Sequence, residues 1–141
     1  MTLERLANLE RIRQLKRETP SATEFSGLVR SGSIRLKDSA NEALDLESRF
    51  DLAYNAAHAL ALAALRWHGY RSESRYLVFQ CLGHTLGIEH ATWRVLDAAH
   101  AKRNVAEYQG ELDVDEAMVA AMIRATREIE NLVRRLGPVS S

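Results

Sequence analysis

Cysteine occurs once in the 141 residues, at Cys81, so no intrachain disulfide can form. Stability must come from a packed core, and a lone thiol suits a reducing compartment. Proline occurs twice, at Pro20 and Pro138, which leaves long stretches free to be helical. Excess charge of either sign is missing: 19 Lys and Arg balance 19 Asp and Glu. That excludes a strong uniform pull toward nucleic acid or anionic membrane and leaves only local patches. A membrane-length apolar run is missing too. The longest, from Ala56 to Trp67, is broken by His58 and Arg66 and is too short to span a bilayer. Residues 1–17 are charge-rich and lack the apolar segment of a signal peptide, so a cytoplasmic protein is expected.

Common catalytic motifs are missing as well. There is no P-loop, C-x-x-C, H-E-x-x-H, EF-hand loop or G-x-S-x-G elbow, and the seven glycines form no phosphate-cradling cluster. His84 and His90 stand six apart across Gly87, which is not the i,i+4 spacing of a helical zinc pair. No metal and no cofactor are expected.

What remains is three-to-four spacing of apolar residues, the mark of an all-α chain. A first helix is expected from Thr2 to about Arg17, capped by Thr2, with a stripe of Leu3, Leu6, Leu9 and Ile12 or Arg13. Its basic residues fit a solvated helix C-terminus or, alternatively, an arm touching RNA or a partner. After Pro20, Ser21-Ala22-Thr23-Glu24 has capping-box form and opens a helix to about Leu46. Gly27 and Gly32 in that helix mark close packing or a bend. Asp45-Leu46-Glu47 reads as a connection, and Ser48 to Arg66 reads as a buried helix faced by Phe50, Ala53, Tyr54, Ala57, Leu60, Ala61 and Ala64. Asp51, Asn55, His58 and Arg66 form a polar strip on it. A buried Asn or His needs hydrogen-bond partners, so Asn55 and His58 are satisfied core groups or part of a site. Gly69 stops the helix. Residues 70–74 read as loop, Tyr76 to Leu86 as a shorter helix, about 88–108 as a fifth, and 113–136 as the last, with an Asp-x-x-Glu start and a Gly137-Pro138 stop. The division expected is an N-terminal helix on or beside the bundle (1–20), a bundle of about five to six helices (21–137), and a frayed tail (138–141).

The stretch from Ala98 to Gly110 concentrates polar chemistry. His100, Arg103, Asn104, Glu107 and Tyr108 recur at helical offsets of three and four. Arg103 is suited to hold a phosphate bidentately, Asn104 to donate to phosphate or an oxyanion, and His100 to move a proton near neutrality. Tyr108 can stack on a base, but with an ordinary pKa of about 10 it is a poor base unaided. The plain structural alternative is an Arg103–Glu107 surface ion pair, with Tyr108 packed at the helix end.

Two segments resemble a family. The run from Ser48 to Leu65 (SRFDLAYNAAHALALAAL), followed by Gly69, resembles the second-helix signature of HEPN (higher eukaryotes and prokaryotes nucleotide-binding) domains: a Tyr, small residues, a His, alanines and a Gly turn. Leu36-Lys37-Asp38-Ser39-Ala40 is similar to the helix leading into it. Arg103-Asn104 resembles the start of the family's R-x(4–6)-H motif. The resemblance spans roughly residues 22–136. It implies an up-and-down helical bundle, commonly a homodimer, with paired motifs facing each other in a composite site. It further implies a nucleic-acid- or nucleotide-associated protein, a toxin–antitoxin or defence component related to metal-independent endoribonucleases. A non-catalytic binding or regulatory module, or a dimeric scaffold, is the alternative. An antitoxin or a nucleotidyltransferase is the partner protein such a relationship implies. The site residues carried over are Arg103, Asn104, Tyr108 and His100 for catalysis, and Arg103, Asn104 and His58 for RNA or nucleotide. Tyr108 stands where the motif His would fall after four intervening residues, and the longer spacings end on Gln109 and Gly110.

Overall fold

Alanine at 53, 56, 57, 61, 63 and 64 gives helix α3 (Leu46–Trp67) a surface that neighbours can approach closely, and all six are buried. The computed structural model describes residues 2–11 and 14–140, with side chains from residue 4 onward. The Thr2 cap and the Leu3, Ile12 and Arg13 stripe positions expected from the sequence lie outside the described side chains. In chain order the elements are α1 (Thr2–Arg11), β1 (Lys16–Arg17), α2 (Ala22–Ser39), α3, β2 (Tyr70–Arg71), α4 (Arg75–Gln80), α5 (Leu82–Thr85), α6 (His90–Gln109) and α7 (Glu116–Arg134). This is an all-α helical bundle. Among the described residues no helix is long and apolar enough to cross a membrane.

α2 and α7 lie against α3, and their contacts with it are the most extensive in the fold. Gly32 explains how α2 comes so near. A Cβ built there would stand 2.6 Å from Leu60 Cγ, so only hydrogen fits. Gly27, one and a half turns earlier, faces open space. Phe50, Leu60, Phe79, Leu96, Met122 and Ile129 fill the core. Each such large side chain contributes about 1.5–3 kcal/mol through removal from water. Thr126, buried in the α7 stripe, is tolerated because its hydroxyl donates to the Met122 carbonyl at 2.7 Å.

Several element ends differ from the sequence expectation. The first helix is described over Thr2–Arg11 rather than to about Arg17, and residues 16 and 17 enter a two-residue antiparallel pairing, Lys16 with Arg71 and Arg17 with Tyr70. Such short strands carry no period to read. α2 ends at Ser39 and α3 begins at Leu46, behind an Asp45 N-cap whose side chain makes no capping bond. The helix expected over 76–86 is two pieces, α4 and α5, divided at Cys81. Ser21 caps α2 through its side chain as expected, whereas α7 is capped by Asp115 rather than by Asp113, the first residue of the Asp-x-x-Glu pattern. Gly69, at φ 87°, ends α3.

Capping-box form predicts that Glu24 accepts from the Ser21 amide. Tertiary packing gives it another task. Its carboxylate takes Arg66 Nε at 2.6 Å and also pairs with Arg71. Arg66 is almost wholly buried near the end of α3, and it donates further to the Glu18, Thr19 and Tyr70 carbonyls at 3.0, 2.7 and 3.3 Å. One guanidinium therefore clamps the segment between β1 and α2 onto the end of α3. Removing one partner of such a buried pair typically costs several kcal/mol, since the other charge is left unmatched.

Candidate functional site

Helical spacing puts Asp51, Tyr54, Asn55 and His58 along one side of α3. Opposite them, α4 begins at Ser74, whose hydroxyl accepts the Leu77 amide at 3.2 Å, so Arg75 and Tyr76 enter on the first turn. α6 brings His100 and Arg103 from successive turns. These three helices meet around the Tyr54 ring.

Tyr54 is buried, with its ring 6.4 Å from that of Phe50 and 5.6 Å, edge-on, from that of Phe79. Its polar end is engaged: the hydroxyl lies 3.0 Å from His100 Nδ1. The guanidinium carbons of Arg103 and Arg75 stand 4.9 and 5.7 Å from the ring centre, within the range of cation–π attraction. Burial raises the Tyr54 pKa, while the charge and hydrogen bonding of Arg75 oppose that rise and the Glu107 charge adds to it. The phenol therefore stays protonated at neutral pH. Tyr76 extends the aromatic set: its ring centre lies 4.9 Å from that of His100 and 5.8 Å from that of Trp93, and its hydroxyl donates to Asp97 at 3.1 Å.

The two arginines differ in their electrostatics. Arg103 of α6 forms an ion pair with Asp51 of α3. This replaces the Arg103–Glu107 pair expected from i,i+4 spacing. Beside it lies a pocket of about 450 Å³ with Asp45, Glu47, Asp51, Glu107 and Glu111 in its lining, an environment that repels an anion. Arg75 is exposed, and among the described residues no carboxylate pairs with it. Its side-chain partners are neutral: the Asn55 amide oxygen at 2.9 Å and the Tyr54 ring. Asn55 is oriented in turn by donating to the Asp51 carbonyl at 2.9 Å. Arg75 is thus the cation left available in the cleft.

The residues expected from the sequence divide as follows. His100 and Arg103 converge on Tyr54. Asn104 is exposed, and Tyr108, on the same helix, is 93% exposed and makes no ring contact among the described residues. His58 packs edge-on against Phe79, ring centres 6.0 Å apart, and burial followed by the charge of Arg75 lowers its pKa to about 4. It is a neutral ring at physiological pH. Among the described residues no group of three or more His, Cys, Asp or Glu side chains converges in a way that would hold a metal ion.

No family model, curated protein or solved structure matches the chain. The cleft must therefore be read on its own geometry. Three of its members, Tyr54, Arg75 and Tyr76, carry no site signal in the sequence. Tyr54 sits in an apolar stripe and looks like core, which its ring is. Arg75 and Tyr76 follow a serine at a short helix start and carry no periodic signal. The available hint was the polar strip of Asp51, Asn55 and His58 on an otherwise apolar helix, since polar groups on a packed face require partners.

Proposed function

We propose that this chain is a HEPN-like, RNA-directed protein whose cleft between α3, α4 and α6 takes a backbone phosphate on Arg75 and His100. The observation that supports it is Tyr54, whose hydroxyl lies 3.0 Å from His100 Nδ1 and whose ring centre lies 5.7 Å from the Arg75 guanidinium, with which no carboxylate pairs among the described residues. Guanidinium is the side chain best matched to phosphate geometry. The chemistry it suits is metal-independent phosphodiester cleavage. With its proton on Nδ1, donated to Tyr54, the His100 ring presents the Nε2 lone pair, which has no protein partner among the described residues. Nε2 takes the proton of a ribose 2′-hydroxyl, the 2′-oxygen attacks the adjacent phosphorus, and the 5′-oxygen leaves with a proton from solvent. Arg75 balances the negative charge that grows on the phosphoryl oxygens. Arg103, held by Asp51, keeps the Tyr54–His100 side of the cleft in place.

The same reading makes the chain a cytoplasmic homodimer that works beside an antitoxin or nucleotidyltransferase, with Val105 and Tyr108 as the exposed apolar groups a second copy would cover. A non-catalytic RNA-binding module is the second reading. It is favoured by the carboxylates around Arg103, which weaken the second cation of the cleft.

The test is incubation of the purified protein with labelled single-stranded RNA in EDTA, with binding and product ends both measured. Wild type is expected to bind and to leave 2′,3′-cyclic phosphate ends, and Arg75→Ala to bind at least tenfold more weakly. Arg75-dependent binding without cleavage selects the binding module. RNA binding unaffected by Arg75→Ala, or none at all, removes both readings.

A further inference from the structure

A second concavity opens beside the first turns of α6, with α4 and α5 among its walls. It measures about 510 Å³, and its walls include Leu77, Ile88 and Trp93 with Gln14, Gln80 and His84 among them. Apolar walls with a few polar groups, at this size, are the usual make-up of a small-molecule site. Trp93 connects it to the cleft. Its ring touches that of Tyr76, which in turn touches His100, giving a continuous aromatic row from the concavity to the Tyr54 hydroxyl. Trp93 and His100 lie on the same helix about two turns apart, roughly 10 Å at 1.5 Å per residue. That is the reach of one nucleotide from its base to a neighbouring phosphate.

We infer that this concavity is a base pocket, which takes one unpaired nucleobase of an RNA whose phosphate rests on Arg75 and His100. The inference rests on the phosphate reading of the cleft and names its substrate class: single-stranded RNA. Trp93 supplies a flat apolar surface for stacking, an interaction open to every base because every base has a π-face. The glutamine amides each offer donors and an acceptor to a base edge. His84 complements them as a neutral ring, one donor and one acceptor, because burial and then the charge of Arg5 lower its pKa. A base stacked and paired within a duplex cannot enter a concave pocket without being extruded. Duplex RNA is therefore excluded on shape alone.

Intrinsic fluorescence tests this directly. The chain has two tryptophans, so Trp67→Phe leaves Trp93 as the reporter. Trp67 is the last residue of α3, donates its indole N–H to the Gly137 carbonyl, and is not among the pocket residues. Uridine 3′-monophosphate and a single-stranded oligonucleotide are expected to quench Trp93, whereas inorganic phosphate and a blunt duplex of the same sequence are not. Trp93→Leu should weaken single-strand binding roughly tenfold, as loss of one stacked base does, with helical content unchanged by circular dichroism. Gln80→Leu, on the exposed rim, provides a gentler second variant with a smaller loss. If Arg75-dependent binding persists while Trp93 emission and both variants stay indifferent, or if duplex binds as well as single strand, the base pocket is overturned and the phosphate cleft stands. If no RNA or nucleotide binds, both fall.

Discussion

Tyr54 and His100 are 46 residues apart in sequence and 3.0 Å apart at hydroxyl and Nδ1, with their rings 21° from parallel. One bond thereby sets which imidazole nitrogen faces the cleft, much as oriented histidines in other sites depend on the partner of their second nitrogen. Every chemical role assigned to His100 depends on it.

Tyr54→Phe keeps the ring and its packing but removes that hydroxyl. The stability cost should be small, about 1 kcal/mol in urea denaturation, the usual worth of a single hydrogen bond. The tautomer should respond more. Nitrogen NMR of the His100 ring is expected to show one dominant neutral tautomer in wild type and a mixture in Tyr54→Phe, with RNA cleavage falling and Arg75-dependent binding retained. Identical tautomer signatures in the two proteins would mean that the hydroxyl does not orient the ring.

Acid should destabilise the protein before its carboxylates titrate. His58 has a folded pKa of about 4, lowered by burial and by Arg75, against an ordinary 6.5. Between those values the unfolded chain binds a proton that the folded chain refuses, so stability falls as pH falls from about 6.5 to about 4. The loss amounts to as much as about 3 kcal/mol across that window. His84, also lowered, adds with the same sign. Stability against pH for His58→Leu should be distinctly flatter than for wild type. Parallel curves would assign the acid sensitivity to other groups.

Alanine substitution at two glycines of α2 should give opposite signs. Gly32→Ala drives a methyl into Leu60 and should cost about 1–3 kcal/mol, as overpacking does. Gly27→Ala meets open space on an exposed turn and should stabilise by up to about 1 kcal/mol, through helix propensity alone. Thermal melts of the two variants decide it, and a gain at Gly32 would contradict the close α2–α3 approach.

The sequence by itself determined the helices and most of their stops. Apolar spacing along the 48–66 and 116–133 segments, Ser21 as a cap and Gly69 as a terminator all act through neighbours within one or two turns, and such effects are written locally. Gly110 closes α6 at φ 71°. Helical offsets of three and four also set His100 and Arg103 on successive turns of one helix. Only the tertiary structure decided what they face. Arg103 turned to Asp51 of α3 rather than to Glu107 four residues on. Glu24 left its cap for Arg66. Tyr108, the residue that stood in the motif position, was left to solvent, and Arg75, with no local signal, became the open cation beside Tyr54. The physical reason is the same in each case. An ion pair or hydrogen bond between residues tens of positions apart depends on how helices cross, and the crossing is set by packing at places such as Gly32 and Leu60, which the polar residues themselves do not encode.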